Sequence, residues 1–191
     1  MTRNSILLAG SAIAFGMALA AMPASAQEVC EVNGGSGTSG SASNPEDLAC
    51  GGIAAGGGSF QGATAIGAFS QATGNDATAV GSDSNASGDS TTAVGSDAQA
   101  TDTNTTAVGD SAVADDTNAT AVGAGSDATG VFSTAVGANA QGTGDWSVAI
   151  GEGAVASNTD STAVGGFGTT ATGVNSTAIG ANLRPDASSQ A

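Results

Sequence analysis

The sequence predicts an all-β fold: a parallel β-roll, a single-stranded solenoid wound from 14-residue coils. Three observations carry this. The triplet Ala-Val/Ile-Gly occurs nine times, beginning at Ala65, Ala79, Ala93, Ala107, Ala121, Ala135, Ala149, Ala163 and Ala178. Seven successive spacings are 14 residues and the last is 15, which places an insertion between Gly165 and Thr177. Small residues and acids keep fixed distances from each triplet. A 14-residue unit is too short for a helical hairpin, and Gly-rich, Leu-poor repeats make poor helices. Two short strands and two tight turns fit that length. Stacked at about 4.8 Å, nine such coils would form a rod of roughly 40 Å.

Taken in chain order, residues 1–26 have the form of a secretory signal peptide. Arg3 supplies the positive start, Ile6 to Leu19 the apolar stretch, and Ala24-Ser25-Ala26 the small-residue cleavage pattern. The stretch is interrupted by Gly10, Ser11 and Gly16 and is short for a bilayer span. No membrane insertion by the remaining chain is expected. Residues 27–62 form a Gly/Ser-rich segment carrying the two cysteines, Cys30 and Cys50. In an oxidising compartment these are expected to pair within the chain, interchain pairing being the alternative. Residues 63–182 hold the nine coils, and residues 183–191 a polar tail.

Composition removes most other functions. The chain has 17 acids against two Lys+Arg, no histidine and no tyrosine, for a net charge of −15. Both basic residues are arginine, Arg3 and Arg184. Nucleic acid is excluded as a partner because phosphate binding needs Lys and Arg. Without histidine the usual acid/base group and commonest metal ligand are missing, and without lysine there is no Schiff-base chemistry. The expectation is a non-enzymatic protein with no cofactor. Val, Ile, Leu and Phe make up only 23 of the 165 residues from 27 to 191, a composition typical of disordered acidic chains. Register overrules it. From Asp76 to Asp160 no acid occupies a triplet, the two positions before it, or the small-residue positions five and seven after its alanine. Burial excludes charge from fixed phases; disorder has no reason to.

Within each coil, period 2 sorts the side chains around the triplet. Ser/Ala, Ala and Gly share one face, Thr and Val/Ile the other. A 14-residue circuit encloses little space, so the small face is expected inside. It would pack against position five (Ser70, Ser84, Ala98) and position seven (Ala72, Ala86, Ala100). The branched row Ile66, Val80, Val94, Val108, Val122, Val136, Ile150, Val164 and Ile179 would then point outward. So long an apolar ladder is an association surface, expected to lie between subunits. The opposite parity, with Val and Ile inside one thin roll, would instead permit a monomer.

The repeats resemble the head domains of trimeric autotransporter adhesins of the YadA type. Ser147-Val148-Ala149-Ile150-Gly151 and Asn175-Ser176-Thr177-Ala178-Ile179-Gly180 match the family motif, roughly Asn-Ser-Val-Ala-Ile-Gly, the second with Thr for Val. The resemblance implies a left-handed parallel β-roll and a side-by-side homotrimer displayed outside a Gram-negative-type cell. It also implies attachment to host matrix, to cells or to itself through an unknown extracellular protein or cell-surface receptor. Family members continue into a heptad stalk and an outer-membrane barrel segment, and neither pattern occurs up to Ala191. The chain thus reads either as the first part of a longer adhesin or as a released protein using the same roll.

Other candidate sites are few. Asp83 and Asp97 share one phase in neighbouring coils, as do Asp102 and Asp116, with Asp115 adjacent. Such ladders either hold a cation such as calcium or form a solvated acidic surface; the Gly-Gly-x-Gly-x-Asp repeat of calcium β-rolls is absent. The threonine column before the triplets could form an ice-binding hydroxyl ladder, but only one column is regular and it shares its face with Val/Ile. Threonine as a strand former explains it more simply. Phe69, Phe132 and Trp146 fall at turn phases, where an aromatic is either a contact residue or a plug. Asn85, Asn104, Asn118 and Asn175 fit Asn-x-Ser/Thr and read as turn residues.

Overall fold

The computed structural model describes residues 47–51, 55–56 and 62–181. Its two parallel sheets alternate along the chain. Ten three-residue strands, from Leu48–Cys50, Thr64–Ile66 and Thr78–Val80 through to Thr177–Ile179, form the first. Nine two-residue strands, from Ala55–Gly56 and Gln71–Ala72 through to Thr170–Ala171, form the second. No helix occurs among the described residues.

Each strand pairs with the strand one full coil away, residue over equivalent residue. Thr78, Ala79 and Val80 align with Thr92, Ala93 and Val94. The pairing continues into the turns: the Gly81 N–H donates to the Ile66 carbonyl at 2.8 Å, and the Ser90 N–H to the Asn75 carbonyl at 2.7 Å. The backbone of one coil is thereby satisfied by its neighbours, as a buried peptide unit requires. That is why short strands suffice.

The interior consists of small side chains, which decides the parity. The triplet alanines are buried, as are position seven and position five. The column two residues before each triplet alanine, including Ala77, Thr91 and Ser133, is buried too. The branched row faces outward: Ile66 is 37% exposed, Ile150 40% and Ile179 65%. The alternative with Val and Ile inside does not occur. Most buried hydroxyls bond within their own turn: Ser84 Oγ donates to the Gly81 carbonyl at 3.0 Å, Ser126 Oγ to Gly123 at 2.8 Å. Thr169 Oγ1 instead reaches the Gly180 carbonyl of the next coil, and Ser147 Oγ is buried without a partner. Where position five is serine, as at Ser70, Ser84 and Ser126, the bonds within the turn also brace the turn that follows the triplet.

Two features depart from the expected boundaries. The roll begins upstream of residue 63, because Leu48, Ala49 and Cys50 pair in register with Thr64, Ala65 and Ile66. Sixteen residues separate Ala49 from Ala65, so the coil escapes a 14-residue search. Chemically it conforms: Ala49 is buried in the alanine column, and Gly51 takes the same backbone form as later triplet glycines. Cys50 stands in the outward branched row and is not a free thiol. Cys30 lies outside the described residues, as do the segments 1–46 and 182–191. The second departure is the 15-residue spacing. Thr170–Ala171 remains aligned with Val155–Ala156, so the extra residue is taken up in the turn between Gly165 and Gly168.

Candidate interaction surfaces

The four sides of the roll differ in charge. Residues 62–181 contain 12 acids and no lysine or arginine. Each acid lies in one of the two turns or on the outer face of the two-residue sheet. The outer face of the three-residue sheet bears only the threonine column, interrupted by Val148, and the Val/Ile row. One side is therefore uncharged and partly apolar, and the remaining periphery is anionic. The threonines are half-buried beside the branched row, and nothing separates them as an independent flat hydroxyl face.

Turn geometry explains most of the acid and amide ladders. Each described 14-residue coil has two residues in the left-handed backbone region, four and eleven positions after its triplet alanine. Asp83 (φ 56°), Asp97 (φ 55°), Asn104 (φ 58°), Asn118 (φ 60°) and Asn175 (φ 57°) occupy such positions. Short polar side chains tolerate this conformation best after glycine. Asn85, by contrast, begins a two-residue strand. The Asp83 carboxylate accepts a hydrogen bond from Ser82 Oγ at 2.8 Å, and that of Asp97 one from Ser96 Oγ at 3.1 Å. Asp102 and Asp116 likewise accept from the next backbone N–H, at 2.6 and 2.9 Å. These four aspartates serve local turn bonding, and among the described residues no group of three or more acids or cysteines is placed to hold a metal ion.

A carboxylate pair that the sequence search passed over lies on the two-residue sheet. Asp115 follows Ala114, and Asp127 precedes Ala128, the residue paired with Ala114. Burial, most of all, pushes the Asp127 carboxyl above its ordinary value near 3.8; Asp115 adds to the rise, and the Thr129 hydroxyl opposes it. Asp115 is also raised, by burial first and then by Asp116, with a smaller contribution from Asp102. Oδ1 of Asp127 is buried without a hydrogen-bond partner. A raised folded-state value means that ionisation destabilises the fold. The penalty is present at neutral pH, is relieved as pH falls through the folded value, and vanishes below the unfolded one. Asp127→Asn is therefore expected to raise the thermal midpoint at pH 7 by up to roughly 3 °C, less than about 1 kcal/mol because solvent screens the site. The gain should disappear in melts below about pH 4.

The aromatics fall into two groups. Phe132 and Trp146 occupy the second turn of consecutive coils, with ring centroids 6.3 Å apart and planes 7° from parallel. Their 14-residue separation was visible in the sequence, but not that the rings would meet. Phe69 lies in the first turn near one end, and Phe167 near the other, its ring 3.6 Å from where a side chain on Gly153 would begin.

Comparison with known proteins agrees with this architecture. The family model described as YadA head domain repeat (2 copies) matches residues 61–84, 86–112, 103–126, 114–140, 143–167 and 166–182. Among solved structures, the collagen-binding domain of the Yersinia adhesin YadA superposes with a TM-score of 0.55 at 29% identity, covering 72% of this chain and 74% of that one. No curated protein matches. The chain carries the repeat, the register and the all-β coil stack of a non-enzymatic head domain, and it belongs to the YadA head family.

Proposed function

We propose that the exported chain is an extracellular adhesive head that assembles as a side-by-side homotrimer. It would hold a surface-exposed rod away from the cell and attach it to matrix, to other cells or to its own copies. The supporting observation is the distribution of charge. Twelve acids line three sides of residues 62–181, while the fourth side is an uncharged Thr and Val/Ile face. Sister copies meeting there would remove the branched row from water at roughly 1.5–3 kcal/mol per fully buried Val or Ile. The acids would remain on the outside, where they keep rods soluble and repel lateral pairing through the wrong face.

Adhesion by such an object is multivalent. Each coil offers a modest contact, and three copies on one rod raise the effective concentration for every further contact. The domain of the Yersinia adhesin YadA that this chain resembles is a collagen-binding domain, which makes an extended extracellular matrix protein the first ligand class to try. Residues 1–26 would direct export, and Cys30 with Cys50 would close the N-terminal segment in the oxidising exterior.

Residues 27–191 should run in multi-angle light scattering at the mass of three chains. Tethered to the surface of a non-aggregating cell, they should make cells clump or bind immobilised matrix protein. A single-chain mass together with inert tethered cells would overturn the reading.

A further inference from the structure

In the second-turn column of left-handed positions, Phe132 and Trp146 stand out, and unlike Phe69, which is alone in the first turn at φ 59°, they stack on each other. Elsewhere their column holds Asp76, Ser90, Asn104, Asn118, Asp160 and Asn175, residues whose short polar side chains suit positive φ. Here two bulky rings adopt φ 57° and 54° in consecutive coils. Large side chains rarely accept this conformation, and strain held at the surface points to a use for the side chain. Neither ring serves the core: Phe132 is 51% exposed and Trp146 53%.

The backbone fixes the pair. The Trp146 N–H donates to the Val131 carbonyl at 2.8 Å, and the Phe132 N–H to the Thr117 carbonyl at 3.0 Å, so the two turns sit in register. Acidic residues hold the neighbouring positions of these turns. Asp145 precedes Trp146, and its Oδ1 accepts the Val131 N–H at 3.2 Å, which ties it to the residue before Phe132. Asp160 takes the next place in the column, its N–H held by the Asp145 carbonyl at 2.9 Å. Near-parallel rings with acidic residues at adjacent turn positions, on a surface without a single cation in residues 62–181, suit a planar positive group. Tryptophan is the strongest aromatic partner for a cation, and guanidinium both stacks on the ring and bonds carboxylates through its N–H fork.

We propose that the Phe132–Trp146 pair, with Asp145 and Asp160, is a docking site for an arginine side chain of a basic protein segment. The site needs the stack of coils and not the assembly of chains, so it would stand if the head were a single chain.

Trp146 is the chain's only tryptophan, so its fluorescence reads the site directly. An oligoarginine peptide titrated into the intact head should quench that emission. In fluorescence anisotropy at physiological salt it should bind more tightly than an oligolysine peptide of equal length. The double variant Phe132→Asn and Trp146→Asn restores the residue type of Asn118 and Asn175. It should keep its mass in solution and a thermal midpoint at least as high as the parent's. Its affinity for oligoarginine should fall roughly five- to tenfold, to the level of oligolysine. The proposal is overturned by equal binding of the two peptides to parent and variant, which would mean charge alone. It is overturned equally if the variant dissociates into single chains, making the rings subunit packing, or if a neutral oligosaccharide quenches Trp146 and the arginine peptide does not.

Discussion

Val122→Asp is expected to reduce the proposed trimer to single chains, read as a threefold fall in mass by light scattering. Val122 lies midway along the outward branched row, in register with Val108 and Val136. In a trimer meeting through this face, three carboxylates would enter an apolar seam where no base can pair with them. Leaving a charge buried and unpaired costs several kcal/mol per copy, more than the Val burial it replaces. The coil interior is untouched, because the altered side chain points away from Ala121, so sheet circular dichroism should remain. Val155→Asp is the matched control. Val155 faces outward from the two-residue sheet between Gln141 and Thr170, on the anionic side, and its replacement should leave the mass unchanged. If neither or both substitutions change the mass, the uncharged face is not the interface.

The second large effect concerns the coil stack. Gly109 has φ +145°, a backbone region essentially closed to other residues, and a Cβ there would overlap the carbonyl of Gly123 in the next coil. That carbonyl cannot yield easily, because it accepts the Ser126 N–H at 3.1 Å and Ser126 Oγ at 2.8 Å. Gly109→Ala is expected to cost about 3 kcal/mol or more, combining backbone strain with displaced inter-coil bonds. In a chain of this size the thermal midpoint should fall by roughly 10 °C. Gly166→Ala provides the contrast. It sits in the one-residue insertion with nothing within 4 Å of its would-be Cβ, and the change should be neutral or slightly stabilising through the unfolded chain. Equal melting of the two variants would show that glycine at the triplet is not what lets the coils approach.

The parity of the roll was legible because it is a matter of volume. A 14-residue circuit is filled by columns made mostly of Ala and Ser, with Thr buried at only three places, Thr91, Thr105 and Thr169, and the structure buries Ala121 while exposing part of Val122. Asp83 and Asp97 were legible as a ladder but not as left-handed turn residues, because Asp, Asn and Gly share that tolerance with many solvated positions. The coil at Leu48–Cys50 was hidden by its 16-residue spacing. Asp115 and Asp127 were hidden for a different reason: they hold different phases of successive coils, and only the pairing of Val113 with Asp127 and Ala114 with Ala128 brings them side by side.

By itself the repeat determined the coil length, the small-residue interior and the exclusion of charge from it, since each follows from spacing and side-chain volume along one chain. Tertiary structure alone decided where the first coil begins, which turn absorbs the insertion, and that Phe132 meets Trp146. Those outcomes depend on how one coil lies on the next, and contacts between coils are set by backbone register and twist, which no single repeat encodes.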